Sequence, residues 1–147
     1  MNRDAMLSLL IADEGLRLDL YDDATGKQLK KGDTIKGHPT VGIGRALDVN
    51  PLTASEAKYL CLNDIVRVER EIDRALPWWK NLSEKRQLVL ASMAFQLGIS
   101  GLMGFPKFIG ALRRGDYEDA AREMGDSLWA KQTPKRVERL TEMMRAG

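Results

Sequence analysis

Three polar positions in the first third of the chain have types and spacing that could carry chemistry. Glu14 is followed at once by Gly15, where a helix can end and the chain can turn. The negative end of a helix dipole works against an ionised carboxyl, and that suits a proton donor. Asp22-Asp23 comes next, with Asp23 nine positions after Glu14, and Thr40 opens the stretch Thr40-Val-Gly-Ile-Gly44. Hydrolysis of a glycosidic bond needs a carboxylic acid on the leaving oxygen and a second carboxylate across the sugar. The two sit roughly 6.5–9.5 Å apart when the second activates water, and about 5–5.5 Å apart when it is the nucleophile. Spacing along the chain leaves that separation open. Taken singly, each residue also has a plainer reading: a loop glutamate, turn-forming aspartates and a β-branched strand residue.

The elements that must position these residues follow from periodicity. Asn2 to Asp13 reads as a helix capped by Asn2, with Met6, Leu10 and Leu7, Ile11 at helical spacing. From Leu16 to Leu47 the texture changes. Gly26, Gly32, Gly37, Pro39, Gly42 and Gly44 punctuate it. Leu16, Leu18 and Leu20 alternate with Arg17, Asp19 and Tyr21, the pattern of a small antiparallel sheet with turns. After Pro51 the chain reads helical. Thr53-Ala-Ser-Glu56 is a capping box. Behind it Leu60, Cys61, Ile65, Val68 and Ile72 form one stripe, Cys61 reads as a buried core thiol, and Pro77 marks an end. Ser83 can cap a second long helix whose body, Leu88 to Leu97, is nearly all apolar and is expected to be buried on most sides. Gly98, Gly101 and Gly104 break the chain. Shorter helices are expected at Phe108 to Arg113 and Asp116 to Met124. A last helix follows the cap Thr133-Pro134, with Val137, Leu140 and Met144 on one side.

The expected fold class is α+β. A small antiparallel β lobe covers about residues 16–47, and a larger helical lobe covers about 51–147 together with the N-terminal helix. The two form one domain with a cleft between the lobes as its ligand site.

Composition narrows the function. The chain has 147 residues, 44% of them apolar, enough for a real core. Its 23 basic and 21 acidic residues are interspersed, and a net charge of +2 does not describe a nucleic-acid binder. A single cysteine allows no internal disulfide, and one histidine with one cysteine makes a structural zinc unexpected. No cofactor is expected. No signal peptide or membrane anchor is evident, since the apolar run Met6 to Ile11 is far shorter than the roughly 20 residues that cross a bilayer.

Taken in order, the motifs resemble those of the phage T4-type lysozymes, glycoside hydrolase family 24. Glu14-Gly-Leu-Arg-Leu-Asp-Leu-Tyr21, then Asp23, then Thr40-Val-Gly-Ile-Gly44 follow that family's E-G-x-x-L-x-x-Y, Asp or Cys, and T-x-G-x-G. Phe95-Gln-Leu-Gly98 is similar to its F-Q-M/L-G. Trp129 with Gln132-Thr-Pro-Lys-Arg136 is similar to its W-x-x-Q-T/S-P-x-R. The matches run from about residue 6 to 137. The resemblance implies cleavage of the β-1,4 bond between N-acetylmuramic acid and N-acetylglucosamine, with inversion. It makes Glu14 the general acid and Asp23, rather than Asp22, the second carboxylate, and it places Thr40 at the attacking water or the sugar. Arg136 matches the family's basic residue and would pair with Glu14 or stand as a solvated helix-end charge. Phe95 would touch sugar, although its residue pattern favours the core. Two departures stand out. Lys27 to Pro39 looks like an inserted loop or longer hairpin, and Arg45 replaces the family's usual histidine, so the local polar contacts must differ.

The implied biology is that of an endolysin: a monomer made in the host cytoplasm, released by a separate holin, acting on peptidoglycan in the periplasm. Three other readings use the same features. A lytic transglycosylase would cut the same bond with a glutamate alone. A peptidoglycan-binding module would keep the fold without catalysis. The last helix, with Lys131, Lys135, Arg136, Arg139 and Arg145, could act on membranes or simply present a solvated face.

Overall fold

The computed structural model describes residues 1–147. Helix α1 (Arg3–Glu14) begins as its cap residue dictates: the Asn2 carboxamide oxygen accepts the backbone N–H of Asp4 at 3.0 Å and of Ala5 at 3.1 Å. It ends at Gly15, whose N–H bonds to the Ile11 carbonyl at 2.9 Å. Strands β1 (Arg17–Asp22), β2 (Pro39–Gly42) and β3 (Arg45–Ala46) follow and form an antiparallel sheet in that order. Thr40 stands opposite Tyr21 on one side and Ala46 on the other. The α+β class is thus as expected.

The chain divides into two compact units, Met1–Ala57 and Lys58–Gly147. In the first, the buried residues are polar: Asp22 and Thr40. Strand alternation turns Leu16, Leu18 and Leu20 outward, with Leu18 87% exposed, and turns Arg17, Asp19 and Tyr21 to the other face. On that face Arg17 pairs with Asp19 at 2.6 Å and lies over the Tyr21 ring at 4.0 Å. Hydrogen bonds, more than apolar burial, organise this unit.

Helix α2 (Ala54–Ala75) begins on the capping box read from the sequence. The Thr53 N–H donates to Glu56 Oε2 at 2.8 Å, and the Glu56 N–H donates to Thr53 Oγ1 at 3.3 Å. The stripe behind it is only half realised. Val68 and Ile72 are buried, but Leu60 and Ile65 are exposed and so is Cys61. The expected core thiol is therefore corrected: the packing of the second unit takes in α2 only from Val68 onward, and Cys61 lines an open groove instead.

The second unit is built on α3 (Glu84–Met103), capped by Ser83 as expected. Val89, Leu90, Met93 and Ala94 are buried, while Leu88 and Phe95 are about half exposed, at 53% and 48%. Phe95 is therefore not the core residue that its pattern favoured. Gly98 at φ 73° and ψ 164° interrupts the helical path within α3 with a kink, as expected of it, in a conformation glycine reaches at no steric cost. Around α3 pack α4 (Pro106–Arg114), α5 (Tyr117–Gly125), a short α6 (Leu128–Gln132) and α7 (Pro134–Ala146). Phe105 meets Phe108 and Trp129 edge-on, with centroids 6.5 and 6.3 Å away. The Trp129 indole N–H is satisfied by Gln96 at 3.0 Å. Thr133 precedes α7 as expected, yet its hydroxyl donates to the Trp129 carbonyl rather than capping the helix. Val137, Leu140 and Met144 are buried, so the basic residues of α7 form the solvated face of a packed helix. The short α6 and a 3-10 turn at Trp79–Asn81 have no counterpart in the periodicity analysis.

Burial decides which leucines matter. Leu90→Ala, at a fully buried site, is expected to destabilise the protein by about 2–5 kcal/mol. Leu18→Ala, at an 87% exposed site, should stay within about 0.5 kcal/mol of wild type. Urea unfolding of both variants checks the contrast.

Candidate active site

Asp22, Asp23 and Thr40 meet around one stretch of backbone, residues 36–38. Asp22 is 2% exposed and ends β1, and it finds its donors there. Its Oδ2 accepts the Lys36 N–H at 2.7 Å, and its Oδ1 accepts those of Gly37 and Ala24, each at 3.0 Å. These bonds, Lys36 first and then Gly37 and Ala24, hold its carboxyl below the ordinary carboxylate value. Both oxygens of Asp22 are committed to structure.

Asp23, exposed beside it, is tied differently. Its Oδ1 accepts the His38 N–H at 2.6 Å, while its Oδ2 has no hydrogen-bond partner. The close fit depends on Gly37: a Cβ there would lie 2.1 Å from Asp23 Oδ1 and 2.8 Å from the Ala24 nitrogen. Thr40, 2% exposed, donates its hydroxyl to the His38 carbonyl at 3.1 Å. That same carbonyl accepts the Asp23 N–H at 3.2 Å. The stretch Lys27 to Pro39, read as an insertion, is thus the support on which Asp22, Asp23 and Thr40 rest.

Glu14, the last residue of α1, is exposed, and its carboxyl group lies against Gly44. A Cβ on Gly44 would stand 2.8 Å from Glu14 Oε2 and 3.1 Å from its Cδ. The next residue, Arg45, is held on three sides. It donates to the Asn50 carbonyl at 2.9 Å, to the Pro51 carbonyl and to the Glu56 carboxylate. Where the family pattern has a histidine, this chain thus carries a charged clamp between β3 and the start of α2. Glu56 serves both clamp and capping box. Arg45 first, and then Thr53, pull its carboxyl down to about 2.

In the second unit, Phe95 and Arg136 line one groove of about 390 Å³ with Ile65, Leu88, Ala91 and Arg139. An aromatic face and two guanidinium groups above an apolar floor can hold a sugar ring and its polar substituents.

Comparison with known proteins identifies the family. Residues 12–146 match the family model described as phage lysozyme. The chain belongs to the phage lysozyme family. Membership makes it a muramidase-type glycoside hydrolase of the bacterial cell wall. It is 31% identical to the pre-baseplate central spike protein of Enterobacteria phage T4 over 97% of its own length, spanning 28% of that protein. It is 28% identical to probable T4-type lysozyme 2 of Dictyostelium discoideum, covering 97% of this chain and 95% of the relative. Probable T4-type lysozyme 1 of the same organism is 24% identical, over 95% and 92%.

For this phage lysozyme, sequence reasoning missed two contributors. His38 had a signal, being the only histidine in the chain and lying close to Asp23 through the loop. Glu56 was recognised as a cap, and nothing in its spacing announced that it would also bind Arg45.

Two outcomes follow from this geometry. Gly44→Ala places a side chain at φ +64° and against Glu14. It should cost roughly 1–2 kcal/mol in backbone strain alone, and lower activity by displacing the carboxyl. Thermal unfolding and turnover together check both effects. Glu56 has a depressed carboxyl, so its stabilisation is complete above its ordinary value of 4.5 and is lost as pH falls toward about 2. Glu56→Gln should flatten the acid side of a stability-against-pH curve over that window.

Proposed function

We propose that this lysozyme hydrolyses the β-1,4 bond between N-acetylmuramic acid and N-acetylglucosamine in peptidoglycan, and that it serves a phage as the endolysin that lyses its host. Glu14 protonates the glycosidic oxygen. Asp23 is the second carboxylate, acting on the attacking water. The observation that carries this assignment is the division of labour between adjacent aspartates. Asp22 has both oxygens filled by backbone donors, whereas Asp23 is exposed and keeps Oδ2 for a water or a sugar. Thr40 enters as a positioning residue. Its hydroxyl steadies the His38 carbonyl, which also receives the Asp23 N–H. Phe95 and Arg136 contact the glycan from their groove in the second unit.

A water held by Asp23 makes the reaction hydrolysis with inversion rather than intramolecular anhydro-ring formation. The substrate is the glycan strand of peptidoglycan. Monomeric action in the periplasm, after a separate holin has opened the membrane, completes the reading. The lysozyme activity itself draws support from the two Dictyostelium relatives, both named as probable T4-type lysozymes and matched over more than 90% of their lengths.

The test is cleavage of purified peptidoglycan by wild type, Glu14→Gln and Asp23→Asn, with released muropeptides analysed by mass. Non-anhydro products from wild type, a fall of at least about 100-fold in Glu14→Gln and a comparable collapse in Asp23→Asn are expected. Anhydro products that survive Asp23→Asn would replace the assignment with a transglycosylase. Folded wild type that binds peptidoglycan without cutting it would make the chain a binding module.

A further inference from the structure

His38 stands between the two polar residues just assigned. Its N–H donates to Asp23 Oδ1 at 2.6 Å, and its carbonyl accepts the Thr40 hydroxyl at 3.1 Å. One peptide segment therefore sets the position of the Asp23 carboxylate and of the buried threonine. The His38 ring is anchored in turn. Its Nδ1 lies 2.8 Å from Asp48 Oδ2. Asp48 is brought alongside because the Leu47 N–H bonds to the Pro39 carbonyl at 2.9 Å, carrying the chain after β3 back past β2.

We propose that His38 is a positioning residue for the hydrolysis, its peptide group holding Asp23 and its ring, pinned by Asp48, making that hold depend on protonation of the imidazole. The inference rests on the role proposed for Asp23. The charges that act on the ring are acidic: Asp48 in direct contact, with Asp23 and Asp22 acting through their charge. Asp48 first, by its hydrogen bond and then its charge, raises the imidazole above its ordinary 6.5, and is itself lowered by the histidine. The charged pair is therefore complete between the lowered Asp48 value and the raised histidine value, and weakens as pH rises through the latter. Two half-exposed partners make a modest anchor, so its loss should slow the reaction without unfolding the protein. Displacement of a catalytic group by a fraction of an ångström acts on turnover more than on binding.

The experiment measures kcat and KM on soluble peptidoglycan fragments across pH values spanning 6.5 for wild type, His38→Gln and Asp48→Asn. Circular dichroism follows the fold at each pH. The single histidine makes its ring titration by NMR unambiguous. Expected for wild type is a decline in kcat as pH rises through the titration midpoint of the ring. Asp48→Asn should move midpoint and decline together to lower pH. His38→Gln should lose that limb and lower kcat several-fold below it, with KM little changed. Coincident limbs in the three folded proteins, or a limb that does not follow the ring titration, would overturn the role of His38. That outcome is distinct from failure of the proposed function, in which wild type releases no muropeptides at any pH and the inference falls with it.

Discussion

A carboxylate removed from water must find hydrogen-bond donors, and Asp22 finds three in the backbone of residues 24, 36 and 37. In doing so it draws the far end of the long β1–β2 connection back onto β1. The loop then delivers the next N–H, that of His38, to the next carboxylate, Asp23. The same loop starts β2 in register, with Pro39 opposite Asp22 and Thr40 opposite Tyr21. Everything assigned to the water side of the reaction depends on that one satisfied buried charge. Protonating Asp22 would weaken the hydrogen bonds that it accepts from Lys36, Gly37 and Ala24, which explains why its carboxyl is held low.

Glu14, the proposed acid, is held on a different principle. Glu14 is presented by a helix terminus, and its carboxyl rests against a glycine at positive φ that gives it room. That glycine precedes an arginine with three acceptors. The guanidinium fork suits this task, because its rigid spread of donors reaches two carbonyls and a carboxylate at once. A histidine at that position would offer at most two ring nitrogens. The exchange of one for the other in this chain thus trades an adaptable group for a fixed clamp on the turn that packs against Glu14.

The two units are held by different forces. The second has the apolar core that its helical periodicity announces, with Leu90, Met93, Phe108 and Met144 fully enclosed. The first buries polar residues and leaves its leucines outside, so its order comes from hydrogen bonds, a capping box and the stacking of Arg17 on Tyr21. Hydrogen-bonded frames of this kind are directional. They hold a carboxylate at a defined position in a way that apolar packing, which is indifferent to orientation, does not.

Local chemistry wrote much of this into the chain. Asn2, Ser83 and the Thr53–Glu56 box mark helix starts because their side chains meet the free backbone groups within three or four residues, and Gly15 marks an end because it turns at positive φ while its own N–H bonds back to Ile11. The strand alternation and the buried stripe of α7 are likewise legible, since each depends on residue type and short spacing, whereas Glu14 and Asp23 stood out as a pair only through the resemblance of the ordered motifs to a known family. Tertiary structure decided the rest. Cys61 and Phe95 have core-like patterns and lie on an open groove, because periodicity shows which face a residue shares but not what covers that face. Neighbouring aspartates of identical chemistry were bonded differently through contacts made 14 or 15 residues away, with Lys36, Gly37 and His38. Such contacts exist only once the loop has closed, and no pattern of nearby residues encodes the direction from which a distant backbone N–H will arrive.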